Sequence, residues 1–238
     1  MREPRQGVRR AVGGVVACVF IFAALLYPLV APESTEPARQ TAPTAQAAPE
    51  ESIPQGASEL DEPGIVMVVS PSLDGDLLVT ETVRLSASTD TLTFGPPLVR
   101  RAGSQFDEAT ATATGVRLRS PGQAVSFPEG PVDEQVQVAV PATQDAEISY
   151  RLSGATVRST PSEAGRASGA VSPLLRDLDA ELPVQVVVTG PTVLNLACPL
   201  LPVWEQACQN GTPLAAQTKA PLPFADAVVT VQLDLRRT

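Results

Sequence analysis

Leu77-Leu78-Val79-Thr80-Glu81-Thr82-Val83-Arg84-Leu85-Ser86 alternates along its length. Leu77, Val79, Glu81, Val83 and Leu85 fall on one face, and Leu78, Thr80, Thr82, Arg84 and Ser86 on the other. A period of two over a stretch this long specifies a β-strand with one face in a core. Glu81 breaks the apolar row. A carboxylate at such a position must be hydrogen-bonded, paired or protonated. Glu81 is therefore read as an inward-facing polar clamp between strands, with a catalytic role as the rival reading. A β-bulge at Thr80–Thr82 would instead turn it outward. Tyr150 stands on the inward row Ile148, Tyr150, Leu152 of a later run, and its hydroxyl is the candidate partner.

Outward from this strand, other short runs carry the same pattern. Ile65–Ser70 precedes it, joined through the hairpin signal Asp74-Gly75. Thr91–Phe94, Val116–Arg119 and Gln123–Phe127 follow. Val136, Val138 and Val140 line one face of the next run, and Ala146–Val157 is another. Ser159–Gly169, small and polar, reads as an exposed loop, and Leu174–Leu178 as a single helical turn. Val184–Thr189 has the near-continuous apolar character of a central strand buried on both faces, and Val228–Leu235 alternates again. The 24 prolines are scattered along the whole chain, which argues against long helices in this region. Seven to ten short strands between frequent turns specify an all-β domain over residues 64–238. The expected form is an antiparallel β-sandwich of immunoglobulin-like type, with a barrel as the alternative.

The preceding chain is different in kind. Residues 1–10 carry Arg2, Arg5, Arg9 and Arg10 against Glu3 alone. Residues 11–30, AVGGVVACVFIFAALLYPLV, have no charged side chain. Twenty helical residues rise about 30 Å, the thickness of a bilayer's hydrocarbon core. Positive charge before the segment and acidic, Pro-rich chain after it predict a single-pass signal anchor, with a cytoplasmic N-terminus and an extracytoplasmic body. Cleavage near Ala45-Gln46-Ala47 is an open alternative, as is lipidation at Cys18, although the stronger apolar run follows that cysteine. Residues 31–63 are rich in Pro, Ala, Thr and Glu without periodicity and are read as a disordered linker.

The runs Leu73-Asp74-Gly75-Asp76-Leu77-Leu78-Val79-Thr80-Glu81-Thr82-Val83 and Ile148-Ser149-Tyr150-Arg151-Leu152-Ser153-Gly154-Ala155 resemble two strand motifs of the DUF2207 family of predicted bacterial membrane proteins. A late pair of cysteines also fits. The resemblance covers scattered parts of residues 64–208 and implies a β-rich extracytoplasmic domain. It brings no activity with it. The family's tryptophan-containing strand is missing where Ser168-Gly169-Ala170-Val171 stands, and so is its C-terminal membrane region.

The chemistry available is narrow. The chain has no histidine, which removes Ser-His-Asp and Cys-His catalysis and most zinc and copper sites. Lys219 is the single lysine, and no Ser-x-x-Lys precedes it. No glycine-rich phosphate loop occurs, and no cofactor is expected. The net charge of −9 disfavours nucleic acid as a partner. Asp74 and Asp76 flank a turn glycine without a third carboxylate in register, so an ordinary hairpin turn is preferred to calcium. Asn210-Gly211-Thr212 matches a glycosylation sequon, and an Asn-Gly turn is preferred. Cys198 and Cys208 form an even pair in an exported domain and predict a disulfide.

Three functions compete. The preferred one is a non-catalytic interaction module that meets an envelope protein or polymer. The second is a structural or regulatory ectodomain acting with a membrane partner. The third is a hydrolase using paired carboxylates among Glu81, Asp107, Glu108 and Asp145. Two facing carboxylates in a pocket would favour the enzyme, and an exposed apolar patch would favour binding.

The anchor generates a direct expectation. Protease added to spheroplasts should degrade residues 64–238 and leave a membrane-bound fragment containing residues 11–30. A soluble mature product beginning near Ala48 would rule out retention of the anchor.

Overall fold

A computed structural model describes residues 60–159, 165–190, 192–212 and 214–235. The proposed anchor, residues 11–30, lies outside them, as does most of the linker. Among the described residues no helix is long and apolar enough to cross a membrane. The protein here is all-β, with fourteen strands among the described residues and three short 3-10 turns.

The alternating stretch Leu77–Ser86 belongs to an 18-residue strand. β1 (Gly64–Pro71) turns through Ser72–Asp76 into β2 (Leu77–Phe94), with which it pairs antiparallel. β2 in turn pairs along its length with β5 (Val136–Ser153). Two separate sequence runs, Leu77–Ser86 and Thr91–Phe94, are thus one strand. So are the runs at Val136–Val140 and Ala146 onward. The gap in periodicity is an irregularity in register. From Arg84↔Asp145 to Thr91↔Ala139 the chain advances seven residues in β2 but six in β5. The extra residue inverts the faces of β2. Leu77, Val79, Glu81 and Val83 are buried before it, and Leu92 and Phe94 after it.

β3 (Thr112–Ser120), β4 (Gln123–Val125), β9 (Pro183–Thr189), β11 (Gln209–Thr212) and β12 (Ala215–Thr218) complete the path of the larger sheet, ordered β11-β12-β9-β1-β2-β5-β3-β4. β8 (Leu175–Arg176) pairs with β2 and β13 (Leu222–Pro223) with β9 off this path. The smaller sheet runs β10 (Val193–Ala197), β14 (Val229–Asp234), β7 (Arg166–Val171) and β6 (Thr156–Arg158). Both sheets contribute to one buried apolar cluster, with Ile65, Val79, Ile148 and Val186 from the larger and Val171, Leu196, Val231 and Leu233 from the smaller.

Several expectations are corrected. The domain is not antiparallel throughout, because β1 and β9 pair in parallel. Most of the domain lies between these two strands in sequence, and a parallel pair requires such a crossover. Fourteen strands exceed the expected seven to ten, since strands of two to four residues show no period to read. Val184–Thr189 is not buried on both faces: Val184, Val186 and Val188 are buried, whereas Gln185, Val187 and Thr189 are half-buried. The region read as a loop, Ser159–Gly169, ends inside β7, whose first four residues it includes. Its small residues serve close packing: a Cβ at Gly169 would lie 3.1 Å from Val231 Cγ1 of the neighbouring strand and 3.6 Å from Leu77 Cδ1 of the other sheet. The expected helical turn at Leu174–Leu178 is instead the two-residue β8 followed by a bend at Asp177, whose φ is 59°, because Leu175 pairs with Phe94 and the Arg176 guanidinium occupies the carbonyls of Pro173 and Leu175. Asn210-Gly211 is not a turn but lies within β11, where Asn210 Oδ1 accepts the Gly211 N–H at 2.9 Å.

The chain passes from the larger sheet to the smaller at Gly154, whose φ of 70° is open mainly to glycine. A Cβ there would sit 2.5 Å from the Thr110 carbonyl oxygen. Gly122 has a similar φ of 74° but open space around it. Gly122→Ala should cost about 1–2 kcal/mol from backbone conformation alone, and Gly154→Ala clearly more, read from urea midpoints. Equal losses would show that the Thr110 contact does not constrain the crossing.

Candidate functional site

The buried polar centre of the domain is Glu81. It is 0% exposed and stands on the inward row of β2. Register explains its partner. Glu81 lies opposite Ile148 in β5, so Tyr150, two residues on, is its diagonal neighbour on the same face. The Tyr150 hydroxyl donates to Glu81 Oε1 at 2.7 Å. The Leu174 backbone N–H donates to the same oxygen at 2.8 Å. Glu81 Oε2 has no hydrogen-bond partner among the described residues.

Leu174 belongs to the segment in which the chain leaves β7 of the smaller sheet and enters β8 of the larger. Its backbone groups cannot all be met by a ladder, and those of Pro173 and Leu174 find other partners. Besides the Glu81 bond, the Gly95 N–H donates to the Leu174 carbonyl at 2.9 Å, and the Leu98 N–H to Ser172 Oγ at 2.9 Å. Arg176 Nη1 donates to the Pro173 carbonyl at 2.8 Å and the Leu175 carbonyl at 2.6 Å, and Nη2 donates to the Pro96 carbonyl.

Burial raises the Glu81 carboxyl from its ordinary value of 4.5 to about 7, against the opposing pull of the Tyr150 and Leu174 hydrogen bonds and the Arg176 charge. Burial, and then the Glu81 charge beside it, push the Tyr150 phenol well above its usual range. Desolvation lowers Arg176, opposed by Glu81, Tyr150 and Asp177 and helped by Arg101.

The other proposed acids are elsewhere. Asp107 and Glu108 are exposed beyond a 3-10 turn, and Asp145 is exposed on β5, where it pairs with Arg84 at 3.5 Å. None of them hydrogen-bonds to Glu81. Asp76 is paired with Arg151 at 3.1 Å, while Asp74 is exposed. Among the described residues no group of three His, Cys, Asp or Glu side chains is placed to hold a metal ion.

A second feature lies between β10 and β11. Cys198 and Cys208 form a disulfide with their α-carbons 5.8 Å apart. Both cysteines are buried, whereas Val203 and Trp204 at the tip of the loop between them are 79% and 82% exposed. The loop is braced internally. The Glu205 N–H donates to the Pro202 carbonyl at 2.8 Å, and Gln206 Nε2 reaches the carbonyls of Pro199 and Leu201, each at 3.1 Å. Beside it lies a shallow depression of about 530 Å³, lined in part by Asn195, Ala207, Gln209, Asn210 and Lys219. Sequence reasoning reached the cysteines, Glu81 and Tyr150. It missed Arg176 and the Leu174 amide, because a backbone donor and a lone arginine between Leu175 and Asp177 carry no pattern. It also missed the depression, whose residues come from three separate segments.

The sign of the pH effect follows from the raised folded value. The folded state holds the Glu81 proton more tightly than the unfolded chain does, so the associated stability is complete below about 4.5 and is lost as pH rises through about 7. The loss should be on the order of 3 kcal/mol at about 1.36 kcal/mol per pKa unit. Glu81→Gln keeps an acceptor for Tyr150 and Leu174 and should remove this part of the dependence. Glu81→Ala should cost about 2–4 kcal/mol at pH 5, because two buried donors lose their acceptor. Chemical denaturation between pH 4 and 8 reads both effects, and an unchanged slope in Glu81→Gln would contradict the assignment.

No family model matches the chain, and no curated protein matches it. Among solved structures it is similar to an aminopeptidase N family protein from Idiomarina loihiensis, with TM-score 0.42 and 12% identity, over 71% of this chain and 29% of that one. It is also similar to an M1 zinc metallopeptidase from Deinococcus radiodurans, with TM-score 0.36 and 14% identity, over 71% of this chain and 41% of that one. The chain spans less than half the length of either protein, and likeness at this level carries no argument about function.

Proposed function

We propose that this chain is a membrane-anchored, extracytoplasmic and non-catalytic interaction module of the cell envelope. Residues 11–30 hold it in the membrane and residues 31–63 act as the spacer. The β-domain, read as an immunoglobulin-like sandwich of two layered sheets, presents the contact surface. The observation that carries this reading is the exposure of Val203 and Trp204, 79% and 82%, on a loop closed by a disulfide. Tryptophan combines a large apolar area with few rotatable bonds, which makes it a frequent anchor of interfaces. A braced loop loses little further freedom on binding, so more of the contact energy remains as affinity. Cross-linking the loop adds about 2–3 kcal/mol in the chain-entropy model.

The carboxylate hydrolase has less support. Glu81 is fully buried inside the core with its Oε1 already accepting two hydrogen bonds, and Asp107, Glu108 and Asp145 are exposed and do not bond to it. A regulatory ectodomain acting with a membrane partner would use the same loop and differ only in what it meets.

A photoreactive residue placed at position 203 of the full chain in living cells should form an adduct with one envelope component. That adduct should disappear in Trp204→Ala. Hydrolysis of an envelope glycan or ester by the full chain, abolished by an amide variant of Asp107, Glu108 or Asp145, would overturn the non-catalytic reading.

A further inference from the structure

The depression beside the disulfide loop lies where two sheet edges meet. β10 is the edge of the smaller sheet and β11 the edge of the larger. Open edges invite strand addition by extended peptides. Here two of the edge donors are already capped by side chains. The Leu196 N–H of β10 donates to Gln209 Oε1 at 3.0 Å, and the Gly211 N–H of β11 donates to Asn210 Oδ1 at 2.9 Å. Capping argues against a peptide strand at this corner.

The same two bonds fix the chemistry of the lining. With their carbonyl oxygens occupied, Gln209 and Asn210 are oriented so that their NH₂ groups remain as donors. Neither NH₂ group has a hydrogen-bond partner among the described residues. Lys219, the only lysine of the chain, adds an ammonium, and its backbone N–H is tied to the Cys208 carbonyl at 2.7 Å. The depression therefore offers donors and calls for a ligand rich in acceptors. A polyanion would meet a net charge of −9, which opposes its approach. Neutral carbonyl acceptors suit the corner better.

Trp204 supplies the other half of the surface. Its indole N–H donates to Glu205 Oε1 at 3.1 Å, so the polar edge is satisfied while the ring remains 82% exposed. Ala207, three residues further along the same braced loop, forms part of the wall of the depression. A ligand with flat apolar faces and repeated acceptor groups matches both features.

We propose that this corner binds a neutral N-acylated glycan chain, with a sugar face stacked on Trp204 and the acyl carbonyls of neighbouring units accepting hydrogen bonds from Gln209, Asn210 and Lys219. This rests on the interaction-module reading and names its partner class. A polymer suits the site because successive units of one chain can meet the ring and the donors together.

Trp204 is the only tryptophan, so the intrinsic emission of the full chain in phosphatidylcholine nanodiscs reports on the site directly. Titration with an N-acetylglucosamine tetramer should shift that emission saturably to shorter wavelength. The matching glucose tetramer, which lacks the acyl carbonyls, should bind about tenfold more weakly, equivalent to roughly 1.4 kcal/mol. Lys219→Ala and Asn210→Ala should each weaken tetramer binding about three- to tenfold, the range expected for loss of one hydrogen bond. Calorimetry with Trp204→Ala should show a loss of about tenfold or more, on the same conversion. Equal binding of the glucose tetramer, stronger binding of an oligogalacturonate, or quenching of Trp204 by brominated lipid would each overturn the glycan assignment. So would the absence of any saturable response to the tetramer. If the tetramer is silent while the adduct from position 203 still forms, the glycan is wrong and the interaction module stands. If neither is seen, both fail.

Discussion

A single carboxylate oxygen accepts hydrogen bonds from two parts of the chain that would otherwise have no shared ladder. Glu81 Oε1 joins the Tyr150 hydroxyl of β5 to the Leu174 amide of the segment between the sheets. Removing a carboxylate from water is costly, and an apolar residue at position 81 would continue the row Leu77, Val79, Val83 without that cost. The acid is useful because the segment needs an acceptor at depth. Ser172–Leu174 is neither helix nor strand, so its donors cannot be met by regular structure. Glu81 fixes where the chain re-enters the larger sheet, and with it the pairing of Leu175 with Phe94. Arg176 then caps the carbonyls around the crossing and brings its positive charge near the acid.

Periodicity made the inner part of this arrangement legible. Alternation at Leu77–Leu85 located the strand and its inward face, and the single acid in an apolar row located the clamp. Tyr150 followed because its own run alternates in the same way. The features that were not legible have a common physical character. The extra residue in β2 inverts its pattern, so one strand read as two. β7 looked like a loop because small residues mark close approach between strands as readily as they mark flexibility. β8, β11 and β13 are too short for any period, and the parallel pairing of β1 with β9 depends on contacts distant in sequence. The Asn-Gly signal at Asn210 misled because Gly211 takes its φ of 100° inside a strand, with Asn210 closing on its amide.

The stabilising centre and the proposed contact surface are separate in chemistry. Glu81, Tyr150 and Leu174 form a buried cluster whose hydrogen bonds serve the fold. The corner at β10 and β11 has its scaffold buried in Cys198 and Cys208 and its Trp204 side chain in water. In that corner the capping amides have two consequences at once. They block two edge donors and leave their own NH₂ groups available. Changes at Trp204 or Lys219 can therefore alter binding without disturbing the packing around Glu81, whereas loss of the Glu81 acceptor acts on the whole domain.

Amide hydrogen exchange at Leu174 tests the clamp most directly. A donor held by a buried carboxylate should open only when the domain unfolds as a whole, so Leu174 should exchange with the same opening free energy as the core amide of Val79. That equality should persist in Glu81→Gln and be lost in Glu81→Ala. Exchange of Leu174 through a local opening well below the global free energy in the unmodified protein would contradict the central role given to Glu81.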